Sequence, residues 1–261
     1  MRISRRIPLV NDFCYNMNNH PLKVSDCEKD LGIEIDSELN FSKHIASKVN
    51  KANSMCGLIR RTFSYIDNTT FKLLFTSLVR PHLEYGHSVW NPYKKIDITT
   101  VENVQRRASK LVPGLKDLTY EDRLKTLKMP TLAYRRFRGD LIEMFKLTHQ
   151  MYDSSVITGL LDFKDSSTRG HVFTLHRVHF NMDIRKYFFT NRIFEYWNCL
   201  PSHVVNSDTV ICFEARLDGI FSDSDIMYNP DTNFMDHINN PAVLNIIKAN
   251  RQRTPTNHER L

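Results

Sequence analysis

The sequence predicts a mainly α-helical chain with a small N-terminal antiparallel β-sheet (α+β), followed by a mixed C-terminal region and a weakly ordered tail. Three observations carry this prediction. Apolar and polar residues alternate before residue 40, apolar residues recur at helical spacing over 41–153, and beyond 153 the apolar runs shorten while Ser, Thr and Asn accumulate. The expected organisation is a disordered lead-in over 1–14, strands over 15–40, a helical region over 41–153, a mixed region over 154–221 and a disordered tail over 222–261.

Taken in order, Tyr15 and Met17 alternate up to Asn18-Asn19-His20-Pro21, and Leu22 and Val24 follow, which predicts a hairpin. Leu31-Gly32-Ile33-Glu34-Ile35-Asp36 adds a third alternating run to the same sheet. Ser42 is the expected N-cap of a first helix. Its inward residues, Ile45, Val49, Ala52, Cys56 and Ile59, fall within about 40° of one line at helical spacing.

A second helix runs from Asn68-Thr69 to Val79-Arg80, with Phe71, Leu74, Phe75 and Leu78 on its apolar side and Pro81 as its stop or kink. A third starts near Asp97, turns Ile98, Val101, Val104, Ala108 and Leu111 inward, and ends at Pro113-Gly114. Tyr120 opens a short helix, and Thr131 a long one reaching about Tyr152. Farther on, Val172–Leu175 and Val178–Phe180 read as strands and Phe188–Leu200 as a helix. Trp90 and Trp197 stand in apolar company and are expected in the core.

Composition bounds the function. With 261 residues, 41% hydrophobic and 25% charged, the chain is neither wholly disordered nor collagen-like. No apolar run approaches the roughly 18–20 residues of a membrane helix, and the basic start lacks the apolar centre of a secretory signal. Five widely spaced cysteines argue against a disulfide framework and for a reducing compartment. An intracellular protein of nucleus or cytoplasm, neither secreted nor membrane-bound, is the expectation.

Charge is concentrated. Lys43 to Lys146 holds 20 Lys+Arg against 9 Asp+Glu, an excess of +11 in a chain whose net charge is +7. Such a basic middle suits a polyanion, and nucleic acid is the commonest one, since each phosphate contact releases a counterion. The helix from Ser42 sets Lys43, Ser47, Asn50, Lys51, Ser54 and Arg61 opposite its apolar side. Arg106, Arg107 and Lys110 form a second basic group, and Arg135, Arg136 and Arg138 a third. Arginines of those two groups also have carboxylates such as Glu102 and Asp140 within reach in sequence. Arg80, beside Glu84, reads as structural.

Catalytic signatures are missing from the sequence: there is no GxxxxGK[ST], GxGxxG, HExxH, GxSxG or CxxC. His171, His176 and His179 have a spacing that could hold zinc but lack a convincing fourth ligand, so they are expected as surface or hydrogen-bonded histidines. Cys199 and His203 lack a second pair.

Nine strings, in order, resemble one family. They include Glu28-Lys29-Asp30-Leu31-Gly32-Ile33, Phe41-Ser42-Lys43-His44-Ile45, Leu78-Val79-Arg80-Pro81-His82-Leu83-Glu84-Tyr85 and Val89-Trp90-Asn91-Pro92-Tyr93. Val104-Gln105-Arg106-Arg107-Ala108, Tyr120-Glu121-Asp122-Arg123-Leu124, Arg135-Arg136-Phe137-Arg138-Gly139-Asp140-Leu141, Thr168-Arg169-Gly170-His171 and Trp197-Asn198-Cys199-Leu200-Pro201 complete the set. From about Tyr15 to Leu217 the chain resembles the C-terminal part of the reverse transcriptase (RNA-directed DNA polymerase) of jockey-like non-LTR retrotransposons.

That resemblance implies strands from the end of the palm over 15–40, a helical thumb-like bundle over 41–153 and a post-thumb region over 154–221. In the family, aspartates of the palm hold two magnesium ions. This sequence contains no Asp-Asp pair, so the resemblance implies a fragment without catalytic residues or a cofactor of its own, the magnesium belonging to a missing palm. The implied partners are RNA or RNA–DNA duplex, bound without sequence preference, and the missing N-terminal polymerase portion. Two alternatives stand beside this reading: a decayed open reading frame without a role, and a helical module that binds a protein.

Overall fold

In a computed structural model of the chain, residues 16–22, 24–157, 159–164, 171–176, 179–221 and 225–231 are described. The expected lead-in, and most of the expected tail, lie outside them. The described chain is mainly helical, with short antiparallel strand pairs near its N-terminus. It divides between Lys116 and Asp117 into two units, whereas the sequence carries one helical region to 153. Apolar residues from Tyr134 to Phe145 pack with later segments of the chain, forming a core within the second unit.

In the first unit, β1 (Asn16–Met17) pairs with β2 (His20–Pro21), and β3 (Cys27–Asp30) with β4 (Ile33–Asp36). These are two separate hairpins, not the single sheet expected. The turns account for the difference. Asn18 and Asn19 have φ of 50° and 63°, and Leu31 and Gly32 have φ of 44° and 83°. Positive φ at both central residues makes a tight two-residue hairpin turn, which suits the twist of its strands. Leu31 therefore leaves the strand predicted to contain it and stands 82% exposed.

Helix α1 (Ser42–Thr62) follows, with Ile45, Val49, Ala52 and Ile59 buried and Cys56 half-buried. Ser42 is not its cap. Phe41 takes the cap position in the left-handed region at φ 58°. The Asp36 carboxylate accepts from the backbone N–H groups of Glu38 (3.1 Å), Asn40 (3.0 Å) and Phe41 (2.6 Å), ordering the entry to the helix. The Ser42 hydroxyl instead donates to Asp97 at 2.8 Å.

The second helix continues past its expected stop. It comprises α2 (Asn68–Leu74), a π turn over Phe75–Val79 and α3 (Arg80–Glu84). Asp67 caps it by accepting from the Thr70 N–H at 2.7 Å. Pro81 can offer no N–H to the preceding turn, and the wider π turn before it takes up that mismatch. The inserted residue also rotates the buried face, so Phe71, Phe75, Val79 and Leu83 point inward while Leu78 is 41% exposed.

Helices α4 (His87–Trp90) and α5 (Lys95–Ala108) complete this unit. Val101, Val104 and Ala108 are buried and Ile98 and Leu111 half-buried, close to the expected pattern. A 3-10 turn over Ser109–Leu111 takes over before Pro113. Helix α1 is the hub, packing on β4, the π turn, α3 and α5.

In the second unit, Thr119 caps α6 (Tyr120–Leu127) and Thr131 caps α7 (Leu132–Thr148), which stops short of Tyr152. Short helices α8 (Ser154–Ile157) and α9 (Asp183–Lys186) precede α10 (Phe189–Cys199), α11 (Ser202–Val205) and α12 (Val210–Phe221). Helix α7 packs on α10 and α12 around Phe137, Leu141, Phe145, Trp197, Phe213 and Leu217. The Phe145 and Phe213 rings stack with centroids 4.4 Å apart.

The strands expected at Val172–Leu175 and Val178–Phe180 are not seen among the described residues. Leu175 makes one isolated bridge with Phe163, Val178 lies outside the described set, and His179 and Phe180 are irregular. Side chains take the role of a ladder here. The Asn198 amide accepts from the Leu175 N–H and donates to its carbonyl, both at 2.9 Å. Part of the expected tail is also packed: Ile226 is buried in this core, and the Met227 carbonyl accepts from the Thr131 N–H at 2.8 Å.

Candidate nucleic-acid interface

All six predicted residues of α1 (Lys43, Ser47, Asn50, Lys51, Ser54 and Arg61) are exposed. With three to four residues per turn they line one side of the helix over about 27 Å. Ala46, also exposed, joins Ser47 and Ser54 in keeping that side low, while the cations stand at its ends and middle. Among the described residues, Lys43, Lys51 and Arg61 make no ion pair.

The local field is positive. His82 of α3 has a pKa below its ordinary value, first because of burial and then because Lys51 and Lys48 of α1 face it. Lys48 therefore widens the basic surface sideways and His82 borders it as a neutral ring, and neither is among the residues expected from sequence. Lys48 is legible there as a flanking position of the helix. His82 is not, because its place depends on the π turn that reorients α3.

The second basic group is only partly available. Arg107 is exposed, and its guanidinium donates to the Asn53 side chain of α1 at 3.1 Å and to the Asn103 carbonyl at 3.2 Å. Lys110 is exposed, whereas Arg106 is half-buried and already engaged. Arg107 and the α1 face thus belong to one neighbourhood, with Asn53 as the link.

The third group is structural. Arg136 is 3% exposed. Arg138 holds Asp218 at 2.6 Å through Nε and 2.9 Å through Nη2, and Glu214 at 3.2 Å, which clasps α7 to α12 and raises its pKa further. Arg135 is half-buried and also engaged. Three cations close in sequence suggest a phosphate-binding face, but the acidic partners of Arg138 come from a helix some 75–80 residues later. Asp140 pairs with Arg192, at 2.8 and 2.9 Å, in a two-pronged contact. Arg80 lies 3.6 Å from Glu84, as its structural reading requires.

Of the three histidines weighed for zinc, His171 serves the fold, whereas His176 and His179 are exposed. His171 is buried and its Nε2–H donates to the Trp197 carbonyl at 3.0 Å. Trp197 Nε1–H in turn donates to the Phe173 carbonyl at 2.9 Å. Among the described residues, no group of three or more His, Cys, Asp or Glu side chains is placed to hold a metal ion. No helix among them is long and apolar enough to cross a membrane.

The chain is 28% identical over 141 residues to an uncharacterized protein of Caenorhabditis elegans, the alignment covering 53% of this chain and 67% of that protein. No family model matches, and no solved structure matches.

Proposed function

We propose that this chain represents the post-palm part of a jockey-like non-LTR retrotransposon reverse transcriptase and holds RNA or RNA–DNA duplex without reading its sequence. The observation that carries the proposal is the exposed face of α1, where small residues and cations without an ion-pair partner among the described residues share one side of a long helix. Small side chains let a helix approach the shallow minor groove of an A-like duplex, and lysines and arginines at its edges meet phosphates. Contacts to backbone alone carry no sequence information, so affinity without specificity is the expected behaviour.

On this reading the chain works inside the cell, in nucleus or cytoplasm, as a duplex-holding element. Catalysis would rest with a palm carrying the metal-binding aspartates. Two assays test it. Lys43→Ala, Lys51→Ala and Arg61→Ala together should weaken micromolar binding to a 20-base-pair RNA–DNA hybrid by about tenfold or more at low salt. Equal affinity of parent and triple variant would overturn the α1 assignment. Extension of a primed template with magnesium or manganese should be nil, and measurable incorporation would contradict the non-catalytic part of the reading.

A further inference from the structure

Beside the exposed face of α1 lies a cleft that the duplex-binding reading leaves unused. It is about 240 Å³ in volume and opens between the C-terminal halves of α1 and α5. Its apolar side is built by Val104, Ala108 and Leu111, and its polar rim by Asn53, Arg60 and Arg107. Cys56 also lines it, and burial pushes this thiol up to about 11, so it stays neutral and adds to the apolar wall.

The rim is preorganised. Asn53 Oδ1 accepts from Arg107 Nη2, which is held in turn by the Nε–H bond to the Asn103 carbonyl. That leaves the Asn53 amide N–H groups and the far edge of the Arg107 guanidinium for something else. Arg60 is exposed on the opposite wall. At Gly57 the cleft comes right up to the helix backbone: a Cβ there would meet nothing within 4 Å.

The cleft is smaller than the roughly 300–1,000 Å³ typical of sites for drug-sized ligands, so it suits one flat ring with an attached anion. A bare phosphate would leave the apolar wall unused, and an aliphatic side chain would make no use of the Asn53 amide N–H groups or the two guanidinium groups on the rim. A nucleobase uses all three: its faces meet the apolar wall and a guanidinium plane, its edge meets the amide, and its phosphate meets the second arginine.

We infer that the α1–α5 cleft receives a single unpaired nucleotide of the bound nucleic acid. The inference rests on the duplex-binding reading of α1 and adds to it a preference for duplexes with an extruded base. Such a base has already lost its pairing, so entering the cleft costs little unstacking.

The test compares a 20-base-pair RNA–DNA hybrid with the same hybrid carrying one extra, unpaired nucleotide, by fluorescence anisotropy on the full chain. The parent should bind the bulged hybrid about tenfold more tightly, the scale of one base stacked on a protein surface. Gly57→Leu, which fills the cleft, should lose the preference, read as the ratio of its affinities for the two hybrids so that any change on the α1 face, common to both, cancels. Arg60→Gln gives a second probe that disturbs no buried group and should reduce the preference several-fold. Equal affinity of the parent for both hybrids, or a preference that survives Gly57→Leu, would overturn the cleft assignment while leaving duplex binding intact. Failure of the parent to bind either hybrid would overturn both.

Discussion

Acidification should loosen the first unit through one histidine. His44 of α1 is fully buried, and its Nδ1 accepts from the Glu34 N–H of β4 at 3.1 Å. Its ring lies 5.3 Å from that of Trp90, and among the described residues its Nε2 has no hydrogen-bond partner. Burial is the main cause that lowers its pKa from 6.5 to about 4; Lys48 and Lys29 act in the same direction, and Glu34 opposes them. The folded chain therefore prefers the neutral ring. The resulting stability is complete above the unfolded value and is lost as pH falls toward 4.

At about 1.4 kcal/mol per unit the whole loss is about 3 kcal/mol, of which about 2 kcal/mol falls between pH 7 and pH 5. Protonation would also set an N–H against the Glu34 N–H and detach β4 from α1. His44→Asn keeps an acceptor where Nδ1 stands and cannot be protonated. Hydrogen–deuterium exchange of β4 and α1 peptides in rising urea, at both pH values, isolates this unit from the other. The parent should lose about 2 kcal/mol more than His44→Asn on acidification. Equal losses would refute the role given to His44.

Two further substitutions probe the packing. Arg192→Ala should cost the second unit about 3 kcal/mol, because Asp140 is 1% exposed and would be left without its two-pronged partner; a fall of the thermal midpoint by circular dichroism checks it, and an unchanged midpoint contradicts it. Gly86→Ala should cost the first unit about 1–2 kcal/mol, since Gly86 has φ 63° and its added Cβ would lie 2.8 Å from Ile33 Cδ1. Faster amide exchange in β4 and α4 is the expected reading, and unchanged exchange would show that the hairpin can shift without cost.

What is legible in the sequence follows from the range of the forces involved. The inward line of Ile45, Val49, Ala52 and Ile59 depends only on helical period, and so does the exposed basic line opposite it. Thr119 and Thr131 cap their helices through bonds spanning three residues, within reach of local reading. The start of α1 escapes such a reading because Phe41 takes the cap position in the left-handed region, held by the Asp36 carboxylate five positions earlier. Splitting of the sheet escapes it because Leu31 adopts positive φ, a conformation that an apolar β-rich string does not advertise. Arg138 resembles a free cation for a similar reason, its partners Glu214 and Asp218 lying on a helix whose packing only the tertiary fold decides. The cleft at Gly57 is likewise a product of two helices, and one helix's periodicity contains no sign of it.

The central claim, that an exposed face of α1 holds duplex by its phosphates, is tested most directly by the salt dependence of binding. Affinity for the paired RNA–DNA hybrid, measured at several salt concentrations, should fall steeply, and log K against log salt should be linear. Removing Lys43, Lys51 and Arg61 together should flatten that slope by about 2–3, close to one counterion for each phosphate that the variant no longer neutralises. A parent slope near zero, or a triple variant with the parent's slope, would contradict the account.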